Sequence, residues 1–534
     1  MPPGKLALSL LAGLLNFVAH APGQPVAGQG SDYTRAETLV RSHKWDEGLA
    51  ILEPLIASEP RNARALNLAG LAYTGKGDIP QAEKYFEKTI AVDPQFVPAL
   101  KNLGIDEFQT GQLEPAEKHL LAAFSLTPGD PVVDLFLGQI DYRKQHFKLA
   151  AERLSSAGSL VLRDANLTAE LAVSYLRNGE KPRAQELLKG IDTLSVTVQA
   201  QLALGISLAQ ADMAAQAIPY LQAAYNSLPD SYDAGFDLAL TAQQAKDYAA
   251  AVKAAESLIQ HGQDTSELEN ILAEAEEAQG QTQKAVDAYR KAIALDPSDE
   301  NNYLDFTSLC IDHRAFDDGM KVISVGLDAR PKSERLTFMR GVLYAMQDHF
   351  ELAEKDFQRA SLLAPQSDFG DVGLGVTYLE IGNSDKAIEI VRNRLRQKPN
   401  DANLQYLLGE GLLRSGAAPG QPAYIEAQNA LEKSVRLNPK LCLAHVSLGT
   451  IYLDEDHVAE AAAQFEQARA IDPAEKSAYS HLAVAYRRLN QPEKAKDTLA
   501  ELKQVLDRQR AGMRVPIQSA SGQNTDNVAG QKLQ

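Results

Sequence analysis

The feature that most constrains this chain is an internal repetition with a period of 34 residues, which begins near residue 29. Nearly every copy places Gly or Ala at its eighth position, and every copy does so at its twentieth. In the clearest copies these residues are Gly70 with Ala82 and Gly341 with Ala353. A unit of this length holds two helices that cannot bury their apolar sides alone, so neighbouring copies must stack. The pattern therefore predicts an all-α repeat solenoid.

The repeats can be placed along nearly the whole chain. We place fourteen of them, beginning at residues 29, 63, 97, 131, 165, 198, 232, 266, 300, 334, 368, 402, 442 and 476. The eighth position is Gly or Ala in thirteen of them and the twentieth in all fourteen. Small residues let two helices cross closely, while larger ones such as Phe86 and Phe357 fill the space between hairpins. We expect an array at residues 31–509, preceded by a linker at 22–30 and followed by a disordered tail at 510–534, where small and polar residues dominate.

Two places depart from the regular phase. The step from residue 165 to residue 198 is one residue short, and the repeats that start at 131 and 165 lack the closing proline of most others. Looser packing or a kink is expected there. Six additional residues fall within Ala417–Tyr424, where Gly and Pro predict a longer loop between two helices. That loop is either a tolerated insertion or a contact for a partner.

The first 21 residues have the pattern of a signal peptide. A positively charged start is followed by an apolar run from Leu6 to Val18 and by a small-x-small sequence that ends at Ala21. Cleavage after Ala21 would leave a periplasmic or secreted protein without a membrane span. Pro22 would follow the cleaved bond, which signal peptidases tolerate poorly, so an uncleaved membrane anchor is the alternative.

Composition argues against several classes of function. The chain has 53 basic and 70 acidic residues and a formal net charge of −17, which disfavours nucleic acid as a partner. Cys310 and Cys442 fall in different repeats, so no disulfide framework is expected. No common catalytic motif is present, and we expect a non-enzymatic protein without cofactor or metal. The histidines near predicted turns are dispersed over four repeats: His146, His313, His349 and His457.

The copies that start at Ala63 and Glu334 resemble the tetratricopeptide-repeat family most clearly. This resemblance implies a right-handed superhelix in which the first helices of the hairpins line a concave groove. It also implies a scaffold or adaptor that binds a peptide or partner protein there, with a monomer favoured. A structural subunit of an envelope, secretion or polysaccharide-export complex is the alternative, and a carbohydrate-binding array is a weaker one.

Family members that bind acidic carboxyl-terminal tails carry a clamp of Lys and Asn in three consecutive repeats. Arg64, Asn67, Lys101 and Asn102 would supply part of such a clamp, but the next repeat offers apolar residues such as Leu135. The long asparagine ladder of glycosyltransferase members is not matched either. The resemblance therefore does not extend to either of these recognition modes.

Family geometry places positions 2, 5, 9 and 12 of each first helix on the concave face. Aromatic residues there are the candidate peptide-binding residues: Phe108, Tyr142, Phe236, Phe338, Phe369 and Tyr406. Their neighbours are mainly apolar or neutral, so we expect a groove without charge. Packing between repeats is the alternative role for each ring. Because rings give large contact area at low entropic cost, we predict an extended, partly apolar segment as ligand, anchored by Phe338, Phe369 and Tyr406.

Overall fold

A computed structural model of the chain describes residues 29–512, with side chains from residue 32 to residue 507. The described part contains 29 α-helices, one short 3-10 turn and no β-strand. The chain divides into two compact units, Met1–Ala250 and Ala251–Gln534. The all-α repeat solenoid predicted from the sequence is confirmed, whereas the predicted signal peptide lies outside the described residues.

Paired helices of about the same length follow one another in the first unit. They are α1 Gln29–Arg41, α2 Trp45–Ser58, α3 Ala63–Lys76, α4 Ile79–Val92, α5 Val97–Gln109, α6 Leu113–Leu126, α7 Pro131–Arg143, α8 Phe147–Ser156, α9 Ser159–Leu162, α10 Ala165–Arg177, α11 Lys181–Leu188, α12 Val198–Gln210, α13 Ala214–Ser227 and α14 Tyr232–Gln244, with the 3-10 turn at Thr193–Ser195. The helix α15, Tyr248–Gln260, begins in this unit and ends in the next.

The second unit continues with the same alternation of first and second helices. They are α16 Ser266–Ala278, α17 Thr282–Leu295, α18 Glu300–Asp312, α19 Phe316–Ala329, α20 Glu334–Met346, α21 Phe350–Leu363, α22 Phe369–Glu380, α23 Ser384–Gln397, α24 Ala402–Arg414, α25 Pro422–Leu437, α26 Cys442–Asp454, α27 Val458–Ile471, α28 Lys476–Arg488 and α29 Pro492–Gly512. The number of repeats in the family's sense stays a prediction.

The small residues at the eighth position are explained by close approach to the second helix of the same hairpin. A Cβ added at Gly70 would lie 2.5 Å from the Phe86 ring, and one at Gly341 would lie 2.7 Å from the Phe357 ring. The direct neighbour is therefore the large residue at position 24. The alanines at position 20, such as Ala82, are fully buried beside this contact.

A left-handed residue lies in each turn between the helices of a hairpin, and the longer turn at residues 415–421 holds two, Gly416 and Gly420. Glycine takes this place at Gly77, Gly111, Gly179, Gly280, Gly382 and Gly416. Other residues take it with φ between 56° and 61° at His43, Gln145, Asp212, Lys246, Arg314, Asp348, Asp456 and Asn490. A left-handed conformation costs a non-glycine residue roughly 1–2 kcal/mol. The position escapes detection in the sequence because its residues share no side-chain type.

The second helices are shortest in the repeats that start at residues 131 and 165. The helix α8 has 10 residues and is followed by the four-residue α9, and α11 has 8 residues before the 3-10 turn. Regular second helices, such as α4, have 14 residues. The irregular packing expected from the sequence is therefore a shortening of these helices.

Three predicted boundaries are shifted. The loop between α24 and α25 covers residues 415–421, since Pro422 to Tyr424 form the first turn of α25 and not the end of the predicted loop. Proline suits the first position of a helix because its φ is already helical there. The last two residues of the predicted linker belong to α1, and the first three of the predicted tail belong to α29. Helices extend outward from packed residues since each added residue closes one more hydrogen bond.

Candidate protein-interaction surface

The first helices of neighbouring hairpins lie side by side in the second unit, in the order α16, α18, α20, α22, α24 and α26. We call the surface that they form the first-helix face. Side chains cap the starts of four of these six helices, whereas α22 and α26 begin without a side-chain cap. The Oγ of Ser333 accepts from the amide N of Leu336 at 3.1 Å in α20, and the Oδ1 of Asp401 accepts from the amide N of Leu404 at 2.8 Å in α24.

An apolar stripe, formed by Phe338, Phe369, Val372, Val376 and Tyr406, lies on the first-helix face. The ring centroids of Phe338 and Phe369 are 5.4 Å apart. Half of the Phe369 surface and 44% of the Val376 surface are exposed. Because Val376 follows Phe369 by two helical turns, both side chains point to the same side of α22.

The apolar stripe rests on a rigid core. Phe338, Val372 and Tyr406 are partly buried and pack against one cluster that contains the buried residues Phe357 and Leu407. The centroids of the Phe338 and Phe357 rings are 5.4 Å apart. Burial, and then the nearby Glu410 carboxylate, raises the pKa of Tyr406 above that of an ordinary tyrosine, whose hydroxyl is already neutral at pH 7. In the apolar stripe, Phe338 and Tyr406 are therefore held by the core, while Phe369 and Val376 stay exposed.

The six predicted binding residues are divided between the two compact units. Phe338, Phe369 and Tyr406 belong to the apolar stripe of the second unit, and the other three lie in the first unit. Tyr142 and Phe236 are half-buried: Tyr142 packs edge-on to Phe147, and Phe236 stacks on Tyr232 with ring centroids 5.5 Å apart. A prediction from aromatic residues alone leaves out Val376, although it occupies position 9 of the repeat that starts at residue 368.

Phe108 is not an exposed binding residue. Only 6% of its surface is exposed, because its ring packs edge-on against Phe136 at 5.3 Å and the guanidinium of Arg143 covers it at 4.2 Å. At the end of α5, a large side chain is covered by the neighbouring first helix α7. Phe108 therefore serves as packing between repeats, the alternative given for each ring.

The expectation of an uncharged face is wrong for α16 and α18. Four carboxylates act electrostatically on the buried Tyr289, and we call them the acidic cluster: Glu274, Glu277, Asp305 and Asp312. Burial and then these four carboxylates raise the pKa of Tyr289. Burial, followed by the negative charge of Glu274, raises the pKa of Asp305 to about 6. Positions 9 and 12 of the repeat at 266 already carry two of these acids, so the signal was present in the sequence.

The partial carboxylate clamp of the first unit is occupied by its own chain. The Nζ of Lys101 donates to the Oδ2 of Asp130 at 2.9 Å, and both side chains are largely buried. The guanidinium of Arg64 lies 4.8 Å from the centroid of the Tyr33 ring. An acidic carboxyl terminus would have to compete with Asp130 for the lysine, which weakens this region as a binding site.

Neither thiol of the chain is activated. Burial raises the pKa of Cys310 to about 12, and burial followed by Asp472 raises that of Cys442 to about 11. Within residues 29–512, no three His, Cys, Asp or Glu side chains are grouped as metal ligands. In the same range, no helix combines the length and the apolar character needed to cross a membrane.

Comparison with known proteins gives partial matches. Models of the tetratricopeptide repeat match residues 33–95, 236–300 and 452–511. The chain is 36% identical over 84 residues to the probable UDP-N-acetylglucosamine–peptide N-acetylglucosaminyltransferase SPINDLY of Hordeum vulgare, and 32% identical over 83 residues to the protein O-mannosyl-transferase TMTC3 of Mus musculus. Each match covers 16% of this chain and 8% of the relative, so the chain spans a small part of the length of these relatives.

Solved structures of similar fold include the yeast Tom70 structure. It is 17% identical, with a TM-score of 0.41 over 85% of this chain and 96% of that one. The Cut9–Hcn1 structure is 13% identical, with a TM-score of 0.36 over 89% of this chain and 99% of that one. Identities and TM-scores this low do not indicate shared binding partners.

Proposed function

Since the chain is a tetratricopeptide-repeat protein, we propose that it is a non-enzymatic scaffold or adaptor that binds an extended segment of a partner protein on the first-helix face of its second unit. The observation that carries this proposal is the apolar stripe, where an aromatic ring and an aliphatic side chain stay exposed above a packed core. Tetratricopeptide folds are generally non-catalytic and typically bind other proteins.

Burial of the apolar stripe by a partner would be favourable. Single exposed apolar residues are ordinary on protein surfaces, but contiguous apolar patches mark interaction sites. Phe338 and Tyr406 are already held by the core, and so little side-chain freedom would be lost on binding. Phe369 and Val376 keep the exposed area that a partner would cover.

Capture of the native partner tests this proposal. The full chain carrying F369S and V376S should lose capture from the native extract, with unchanged helical circular dichroism. Leu362, on the second helix α21, is 81% exposed and offers a matched control, since L362S also removes an exposed apolar side chain. Equal capture by both variants would contradict a binding site on the stripe.

We also propose that the mature chain acts in the periplasm or is secreted. The support is the signal pattern in residues 1–21, with its apolar run before Ala21. Amino-terminal sequencing of the protein from fractionated cells should find a start at Pro22. An intact Met1 in the membrane fraction would instead indicate the uncleaved anchor.

A further inference from the structure

A cleft lies between the second helix α23 and the carboxyl-terminal end of the first helix α24. Its volume is about 420 Å³, which falls within the range of roughly 300–1,000 Å³ that is typical of pockets for small ligands. The buried side chains of Ile388 and Leu412 form its apolar part, and polar side chains, most of them from α23, form the rest. None of its lining residues belongs to the apolar stripe, so the two surfaces can be tested separately.

The cleft lies where one repeat lacks the tyrosine of its neighbours. Leu412 occupies the eleventh position of the repeat that starts at residue 402, whereas the repeats on either side carry Tyr378 and Tyr452 there. The Tyr378 hydroxyl donates to the carboxylate of Glu354 on the preceding second helix at 2.5 Å, and that of Tyr452 donates to Glu432 at 3.4 Å. A tyrosine at this position therefore spans the space to the preceding second helix. Leucine is too short to do so, and the space beside α23 stays open.

Two further departures from the repeat pattern occur at the same cleft. Arg392 occupies the position on α23 that corresponds to Glu432, the acceptor for Tyr452. Ser415 also lines the cleft, and it begins the long turn at residues 415–421 that holds the six additional residues. Arg392 is fixed by Glu426 of α25, since its Nη2 and Nε donate to the two carboxylate oxygens at 2.7 and 3.3 Å. Three changes from the pattern thus meet at one place.

The charged side chains of the cleft are separated by sign along α23. Asp385 and Glu389 are one turn apart at its start, and Arg392 and Arg396 are one turn apart at its end. Like charges at this spacing destabilise a helix. The helix dipole favours acids at the start and bases at the end, but its effect is confined to the first and last turns and does not reach Glu389. Glu426 neutralises Arg392, whereas Asp385, Glu389 and Arg396 have no ion-pair partner within the described part of the chain.

We infer that this cleft binds a short peptide with free ends, whose ammonium group contacts Asp385 and Glu389 and whose carboxylate contacts Arg396. Glu389 and Arg396 are seven residues apart, or about 10 Å along the helix. Three residues of extended chain span about the same length. The middle side chain lies over Leu412, in the space that a tyrosine fills in the neighbouring repeats. A ligand with one charge would leave one of the two like-charged pairs without a counterion. This site goes beyond the proposed function.

Isothermal titration calorimetry of the full chain with three tripeptides tests the inference. The probes are Ala-Leu-Ala with free ends, the same peptide with an acetylated amino end, and the same peptide with an amidated carboxyl end. The free peptide should bind, and each cap should weaken binding about tenfold or more, because each removes a contact between opposite charges. No heat of binding at millimolar Ala-Leu-Ala, or equal binding of all three peptides, would overturn the inference.

Variants of the chain assign each end of the peptide to its side of the cleft. L412Y places the ring of the neighbouring repeats in the cleft and should abolish binding with unchanged helical circular dichroism. R396Q should weaken binding of the free peptide about tenfold and make it insensitive to amidation. D385N/E389Q should make binding insensitive to acetylation. The matched control is R487Q, which changes an exposed arginine of α28 outside the cleft and should keep full affinity.

The outcomes separate this site from other binding surfaces. Full binding by a folded L412Y protein would place the peptide elsewhere and overturn the inference. If L412Y does not fold, R396Q decides: unchanged sensitivity to amidation, or an equal loss of affinity in R487Q, would also overturn it. F369S/V376S should bind Ala-Leu-Ala normally even where it loses the partner protein. Loss of Ala-Leu-Ala binding in F369S/V376S would assign the peptide to the apolar stripe and refute the separate site.

Discussion

Replacing Gly341 by alanine should destabilise the hairpin formed by α20 and α21. The added Cβ would lie 2.7, 2.9 and 3.1 Å from three carbon atoms of the Phe357 ring. Carbon atoms in contact are ordinarily about 3.5–4.0 Å apart. The ring has little room to retreat, because a Cβ at Gly373 would lie only 2.5 Å from it, and Phe357 is 2% exposed.

Two effects of opposite sign decide how much G341A changes the free energy of unfolding. Alanine is preferred over glycine inside a helix by about 1 kcal/mol. Overpacking of a filled core costs about 1–3 kcal/mol. The net change for G341A is therefore a loss of roughly 1 kcal/mol, or a fall in Tm of about 2–4 °C for a unit of this size.

Gly375 gives a matched control at the same repeat position of α22. A Cβ there would lie 3.1 Å from Leu407 and 3.3 Å from Val391, both at the ends of side chains that can shift. G375A should thus be close to neutral or slightly stabilising. Urea unfolding followed by circular dichroism, together with hydrogen exchange in α20 and α21, measures both variants. A G341A protein as stable as G375A would refute the close-approach explanation of the eighth position.

Three further perturbations follow from buried groups. Burial raises the pKa of Asp106 to about 7, although the hydrogen bond from Thr74 acts in the opposite direction. The free energy of unfolding should therefore fall as pH rises from about 4 to about 7. Urea unfolding at pH 5 and pH 8 should show a smaller difference for D106N than for the unchanged chain. R340A leaves the buried Asp356 without its two 2.7 Å bonds and should cost about 3–5 kcal/mol, whereas R340A/D356N should recover part of that loss. A353L overfills a fully buried site and should cost about 1–3 kcal/mol in thermal unfolding; an unchanged Tm would contradict the assigned repeat phase.

The sequence predicts the helices well because side-chain size fixes their phase. A glycine such as Gly70 can face Phe86 in only one register, and this contact repeats along the chain. Helix ends are less certain, since they depend on how far packing extends beyond the repeated positions. The helical turn at Pro422 and the extension of α29 to Gly512 both lie outside the repeated pattern.

The candidate surface could be predicted only in part. A helical position tells which side of a helix a residue faces but not how far a neighbouring side chain covers it. The sequence predicts the same role for Phe108 and Phe369, yet Arg143 covers the Phe108 ring and half of the Phe369 surface stays exposed. The acidic cluster needs residues from both α16 and α18, and the fold shows that all four act on the same buried side chain, Tyr289.

The chain could be stabilised by placing glycine at turn residues that hold a left-handed conformation. His43, Gln145, Lys246 and Arg314 hold a conformation that glycine accepts freely and that costs them roughly 1–2 kcal/mol each. Glycine would offset part of this stabilisation, by about 0.5–1 kcal/mol, because it gives the unfolded chain more conformational freedom. Because the four turns belong to different hairpins, their gains should add. Four substitutions at exposed turn residues should therefore make the protein more tolerant of heat.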